Sequence, residues 1–132
     1  MNDSPRPPLV IDVTELSRGT FVAAVLGEMD IATSPELLSR LSTVRGPAPF
    51  HVLVDLSELT FTDSTGIKAL VSSAKDLETR GGSLIVCAPM PNVQRVFDIV
   101  QLSEVVTIVP SLDAGILEAQ RQAGDAAARP GS

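Results

Sequence analysis

The chain has 132 residues, 44% of them hydrophobic and 20% charged, which suits one globular core and is too short for two. With 10 Lys and Arg against 16 Asp and Glu, a net charge of -6, it lacks the cationic excess that binds nucleic acids and anionic membranes. Four Phe with neither Trp nor Tyr remove the stacking platforms used for bases and sugars, and the single Cys87 excludes an internal disulfide and a thiolate metal cluster.

In chain order, Met1 is followed by Asn2, Asp3, Ser4 and a Pro5-Arg6-Pro7-Pro8 cluster, with neither the cationic start nor the apolar run of a signal peptide. The longest uncharged stretch, Gly81 to Gln94, contains Pro89 and Pro91 and falls short of the roughly 20 apolar residues of a membrane span. A cytoplasmic protein is expected. Residues 1–8, polar and Pro-rich, and 122–132, without apolar periodicity, are expected to be disordered, leaving 9–121 as the folded unit.

Leu9 to Thr14 partly alternates apolar with polar, Ser17-Arg18-Gly19 supplies a turn, and Phe21 to Leu26 follows, which predicts an opening β-hairpin. Ser34-Pro35-Glu36 offers an N-cap hydroxyl, a proline at the first helical position and an early acid. Leu37, Leu38, Leu41 and Val44 then recur at helical spacing, so a helix is predicted up to Gly46. His51 to Leu56 reads as a strand, followed by a loop through Phe61 and by the cluster Thr62-Asp63-Ser64-Thr65 before Ile67, Leu70, Val71, Ala74 and Leu77. That second helix stops at Gly81-Gly82. Leu84 to Ala88 is a strand enclosing Cys87 as a small core residue, Val93, Val96, Phe97 and Val100 form a helical stripe, Val105 to Val109 is a strand, and a helix opens at Ser111. The order ββαβαβαβα implies an α/β domain with a mixed, largely parallel sheet, its first strand free to run antiparallel.

Much chemistry is excluded by placement. The only histidine, His51, opens the third strand, whereas Ser64 lies beyond that strand's far end, roughly 20 Å away at about 3.3 Å per residue, so no Ser-His-Asp triad assembles. Neither a nucleophile elbow nor a phosphate-cradling glycine loop is encoded. Asp30, Asp55 and Asp63 fall near strand ends, where open α/β sheets place ligands, and each also suits a turn or a helix start.

Thr62-Asp63-Ser64-Thr65-Gly66 joins the strand-end loop to a helix start. It can simply supply N-cap oxygens, but one helix rarely requires four consecutive capping side chains, and Gly66 is expected to open access to the backbone amides. A phosphate on Ser64 would add about -1.5 to -2 charge where a helix N-terminus accommodates an anion. A partner docked over the same helix end would meet a desolvated anion, at a cost of about two to three decades of affinity.

Asp55-Leu56 with Phe61-Thr62-Asp63-Ser64-Thr65-Gly66-Ile67, the upstream Gly27-Glu28-Met29-Asp30 and the downstream Gly81-Gly82-Ser83-Leu84 and Val96-Phe97-Asp98 resemble the STAS domain of bacterial anti-sigma-factor antagonists. The resemblance covers about residues 9–120. It implies a mixed sheet with helices mainly on one side and a protein that captures an anti-sigma factor, freeing a sigma factor for transcription. In that family the anti-sigma factor is often an ATP-dependent serine kinase, and a phosphatase resets the antagonist. Ser64 corresponds by motif position to the phosphoacceptor, with Thr65 as the neighbouring alternative and Asp30 and Asp63 as acids around the site. The nucleotide would belong to the kinase, so no cofactor and no catalytic residue are expected in this chain.

One position departs from that pattern: Lys68 stands where a glycine is usual. Lys68, Ser72, Lys75 and Thr79 recur at helical spacing opposite the apolar face. With Asp30, Asp63, Ser64, Thr65 and Gly66 they make up the expected docking face. Lys68 could pair with a phosphoserine or with an acidic partner, or its bulk could select a different one. Two alternatives remain, a STAS scaffold without a phosphate switch and an enzyme acting through Asp30 and Asp63 on a small phosphorylated ligand, although neither a metal cluster nor a nucleotide loop accompanies those acids. Few aromatics and no surplus apolar stripe point to a monomer when free, while the family implies a dimeric partner.

Overall fold

The structure is a computed structural model, and it describes residues 9–128, with side chains to Gly124. The opening hairpin forms from β1 (Val10–Ser17) and β2 (Thr20–Met29), and Gly19, with φ of +82°, makes the turn that a side chain would strain. α1 (Ser34–Ser42) follows, ending short of Gly46. Then come β3 (Phe50–Asp55), β4 (Leu59–Thr62), α2 (Ser64–Thr79) and β5 (Gly82–Cys87). The chain closes with α3 (Pro91–Ile99), a 3-10 turn (Leu102–Glu104), β6 (Thr107–Val109) and α4 (Leu112–Ala128).

The expected order holds, with one short strand added. β4 occupies what the sequence presents as a loop, pairing in parallel with the end of β2 through Gly27–Leu59, Glu28–Phe61 and Met29–Thr62. The last strand is shorter than expected, because Gln101, at φ of +56°, turns the chain into the 3-10 segment and Val105 and Val106 are spent there. The closing helix runs to Ala128, past the expected boundary at 121. The tail predicted to be disordered is thus helical up to that point, and residues 1–8 and 129–132 lie outside the described part.

The main sheet runs β1-β2-β3-β5-β6. β1 is antiparallel to β2 and the other pairs are parallel. Strand periodicity divides its side chains between two faces. Val52, Val54, Leu84 and Val86 face the larger core, with Leu37 and Leu41 of α1, Leu70 and Leu77 of α2, and Val93 and Phe97 of α3. Leu53, Ile85 and Cys87 face the other way, where Ala119 and Ile116 of α4 cover them. Three helices therefore lie on one side and one on the other.

α1 and α2 are fastened at their C-terminal ends by Arg80. Its guanidinium donates to the carbonyls of Val44 and Leu41, pairs with Asp76 at 2.9 Å and lies over the Phe50 ring. No helix among the described residues is long and apolar enough to cross a membrane.

Candidate functional site

The C-terminal ends of β2 and β4 meet where the Asp63 N–H donates to the Met29 carbonyl at 3.2 Å, which brings Asp30 and Asp63 onto one rim. Asp63 caps α2. Its backbone is extended, and Oδ1 accepts from the amides of Thr65 at 2.9 Å and Gly66 at 3.1 Å, while its carbonyl accepts from Ile67. The carboxylate satisfies donors that the first turn of a helix otherwise leaves open and sits at the positive end of the helix dipole.

Of the four adjacent capping-type side chains, only Asp63 caps. Thr62 is buried, and its hydroxyl donates to the Asp63 carbonyl. Ser64, the first residue of α2, is exposed and its hydroxyl bonds to no described residue; Thr65 is half-buried. Gly66 does not open the helix end outward, as the sequence suggested. It is buried, and a Cβ there would overlap Thr62 Oγ1 and stand 2.9 Å from Met29 Cβ. Glycine is required by close packing of α2 on the strand ends.

Asp30 is only 6% exposed. Its Oδ1 accepts from the amides of Ala32 at 2.9 Å and Thr33 at 3.1 Å, and from the Thr33 hydroxyl at 3.2 Å. The Thr33 hydroxyl also lies 2.7 Å from the Glu28 carbonyl. Asp30 thus shapes the turn that leads into α1, while the N-cap position expected for Ser34 falls to Thr33, which makes no side-chain cap bond, and the buried Ser34 hydroxyl finds no partner. The third acid, Asp55, is half-buried and accepts from Ser57 N–H.

Along α2, Lys68, Ser72, Lys75 and Thr79 are exposed, whereas Ile67, Leu70, Ala74 and Leu77 are buried and Val71 is half-buried. The predicted polar stripe is therefore present, and it starts from Ser64. Sequence reasoning missed two apolar residues on the same rim: Ile31, 76% exposed, beside Asp30, and Phe61, 44% exposed, on β4. Ile31 interrupts an otherwise small and polar turn, which was the available signal.

His51 stands at the opposite end of β3 and bonds Ser83 Oγ through Nδ1 at 2.8 Å. Ser83 donates to Gln122 Oε1, and Gln122 donates to Glu118. Burial lowers the His51 pKa, and hydrogen bonds from Arg121 and Gln122 bring the Glu118 carboxyl down to about 2. Burial, with a smaller contribution from Asp55, pushes the Cys87 thiol up to about 12. No group of three or more His, Cys, Asp or Glu that could hold a metal forms among the described residues.

The sequence pattern that defines the STAS domain matches residues 8–115. The chain belongs to the STAS domain family. Within it, the chain is similar to an anti-sigma-B factor antagonist of Listeria monocytogenes, 28% identical over 98 residues, which are 74% of this chain and 86% of that protein. It is also 30% identical over 88 residues to an anti-sigma-B factor antagonist of Staphylococcus epidermidis, covering 67% and 82% of the two chains. Among solved structures, an anti-sigma factor antagonist from Mycobacterium paratuberculosis superimposes with a TM-score of 0.75 at 26% identity, over 88% of this chain and 99% of that one. Such STAS domains are binding proteins rather than enzymes.

Proposed function

We propose that this STAS domain captures an anti-sigma factor over the rim formed by Asp30, Asp63, Ser64 and the exposed face of α2, releasing a sigma factor, and that phosphorylation of Ser64 ends the capture. The observation that carries the reading is the Ser64 hydroxyl: exposed, bonded to no described residue, and held at the first position of a helix whose cap is supplied by its neighbour. The names of the relatives supply the partner class.

In this reading the partner is also a serine kinase that brings its own ATP. Ser64 Oγ attacks the γ-phosphorus, an Oγ–P bond forms as the bond to the ADP oxygen breaks, and the hydroxyl proton passes to a base on the kinase. The product carries about -1.5 to -2 charge beside a carboxylate that already occupies the helix amides. The fold tolerates the group because nothing buried depends on the Ser64 side chain. A partner that docks on this rim meets two adjacent anions. A serine phosphatase then resets the domain, which is a monomer when free.

Tagged wild-type, Ser64→Ala and Ser64→Asp proteins used as baits in the native lysate test this. Capture of a kinase-type anti-sigma factor by the Ala form, its loss with the Asp form, and phosphate mapped to Ser64 of the wild type by mass spectrometry are the expected results. Equal capture by all three, with no phosphate on Ser64 or Thr65, leaves a scaffold without a switch.

A further inference from the structure

We infer that Lys68 is the built-in counter-ion for a phosphate on Ser64, a positioning residue that lowers the charge the modified rim presents. The inference rests on the phosphorylation reading above. Ser64 and Lys68 are four residues apart on α2 and both exposed, a spacing that puts side chains on one helix face with Cβ atoms about 5–6 Å apart. Helical side chains lean towards the N-terminus, so the lysine stem extends back towards Ser64 rather than away from it. Its ammonium makes no ion pair with any described residue, so no competing contact has to be broken.

The usual anion-binding device of a helix start is meanwhile occupied. The amides of Thr65 and Gly66 donate to Asp63 Oδ1, and that of Ile67 to the Asp63 carbonyl. A phosphate on Ser64 arrives next to a fixed carboxylate with those donors already used, and a cation must come from a side chain. Lys75, the other exposed lysine of α2, lies about 16 Å along the helix from Ser64 at 1.5 Å per residue, and ordinary salt screens it over that distance. Lys68 alone of the two is within reach.

The test installs phosphoserine at position 64 during translation, so that no kinase is involved, and follows the phosphate resonance by phosphorus NMR from pH 4 to 8 in the otherwise intact chain. The second phosphate pKa, about 6 for an ordinary phosphoserine, is expected to be lower with Lys68 present than in Lys68→Gln by about half a pH unit. That is the effect of one charge roughly 5 Å away in a solvated setting. Lys68→Arg keeps the shift, and raising the salt to about 1 M abolishes it. Equal pKa values in wild type and Lys68→Gln overturn the inference. Because the titration needs neither partner nor kinase, it can succeed while the capture experiment fails, and a switch that works without the shift overturns the Lys68 role alone.

Discussion

Replacing Asp63 separates what its shape contributes from what its charge contributes. Two backbone amides at 2.9 and 3.1 Å depend on Oδ1, and Asp63→Ala removes that acceptor at the start of a 16-residue helix packed on the main core. Truncating an N-cap costs about 0.5–2 kcal/mol. The buried position of Gly66 keeps water from fully replacing the lost bond, which places the expected loss at about 1–2 kcal/mol. Asp63→Asn keeps an oxygen in the same place and loses only the attraction of a carboxylate for the helix end, about 0.3–1 kcal/mol. In urea, with slopes of about 1–3 kcal/mol per M for small proteins, the Ala midpoint should fall by about 0.5–1 M and the Asn midpoint by less than half as much, with unchanged slopes. Ser64→Ala, removing a hydroxyl without partners, is the control and should stay within about 0.5 kcal/mol of wild type. If Asp63→Asn loses as much as Asp63→Ala, or if Ala matches wild type, the capping account of this rim is wrong.

Further expectations follow from packing and protonation. Leu70, fully buried, should cost about 2–5 kcal/mol when cut to Ala, while Ser72→Ala on the exposed face should be nearly neutral; equal effects in a denaturant titration would reverse the assignment of helix faces. Gly66→Ala should destabilise by about 1–3 kcal/mol, because Thr62 and Met29 leave no room for a methyl group, and a wild-type midpoint would show that the strand ends yield freely. His51 has its pKa lowered in the fold by burial, so the unfolded chain takes up the proton first. Stability is therefore full above pH 6.5 and falls as the pH drops from there towards the folded value, by at most about 1.4 kcal/mol per pH unit; His51→Gln should flatten that part of the profile in thermal melts, and an unchanged slope would place the sensitivity elsewhere. Cys87, buried with its pKa at about 12, should resist thiol reagents at pH 8 until the domain unfolds, and rapid labelling of the native protein would contradict its position beneath α4.

Periodicity revealed the helices and the main strands because each has one face in a core: Leu70, Ala74 and Leu77 on α2, or Val52 and Val54 on β3, leave the spacing that burial demands. β4 escaped because four residues are too few to show a period, and because Leu59 is buried while Phe61, two residues on, faces outward. The end of α4 escaped for the opposite reason. Its hold is polar, through Gln122 and Ser83, and hydropathy does not register a hydrogen bond. At the site the motif located Asp63, Ser64 and Gly66 but misread how the glycine acts, since a requirement for close packing and one for open access are met by the same residue. Asp30 was marked as an acid near the site, whereas its carboxylate is folded into the turn towards α1, a distinction that depends on the position of Thr33.

The match to the family pattern ends at residue 115, the fourth residue of a helix that continues to Ala128. Beyond that point Ala119 closes over Leu53, Ile85 and Cys87, and Gln122 reaches back to Ser83. A chain cut at the recognised boundary would keep every residue from Asp30 to Lys75 and still lose the roof over one face of its sheet, leaving apolar strand residues as an adhesive surface. The unit that sequence comparison recognises is smaller than the unit that folds, and the rim that carries Ser64 sits on a sheet whose far face is closed by residues outside that recognised stretch.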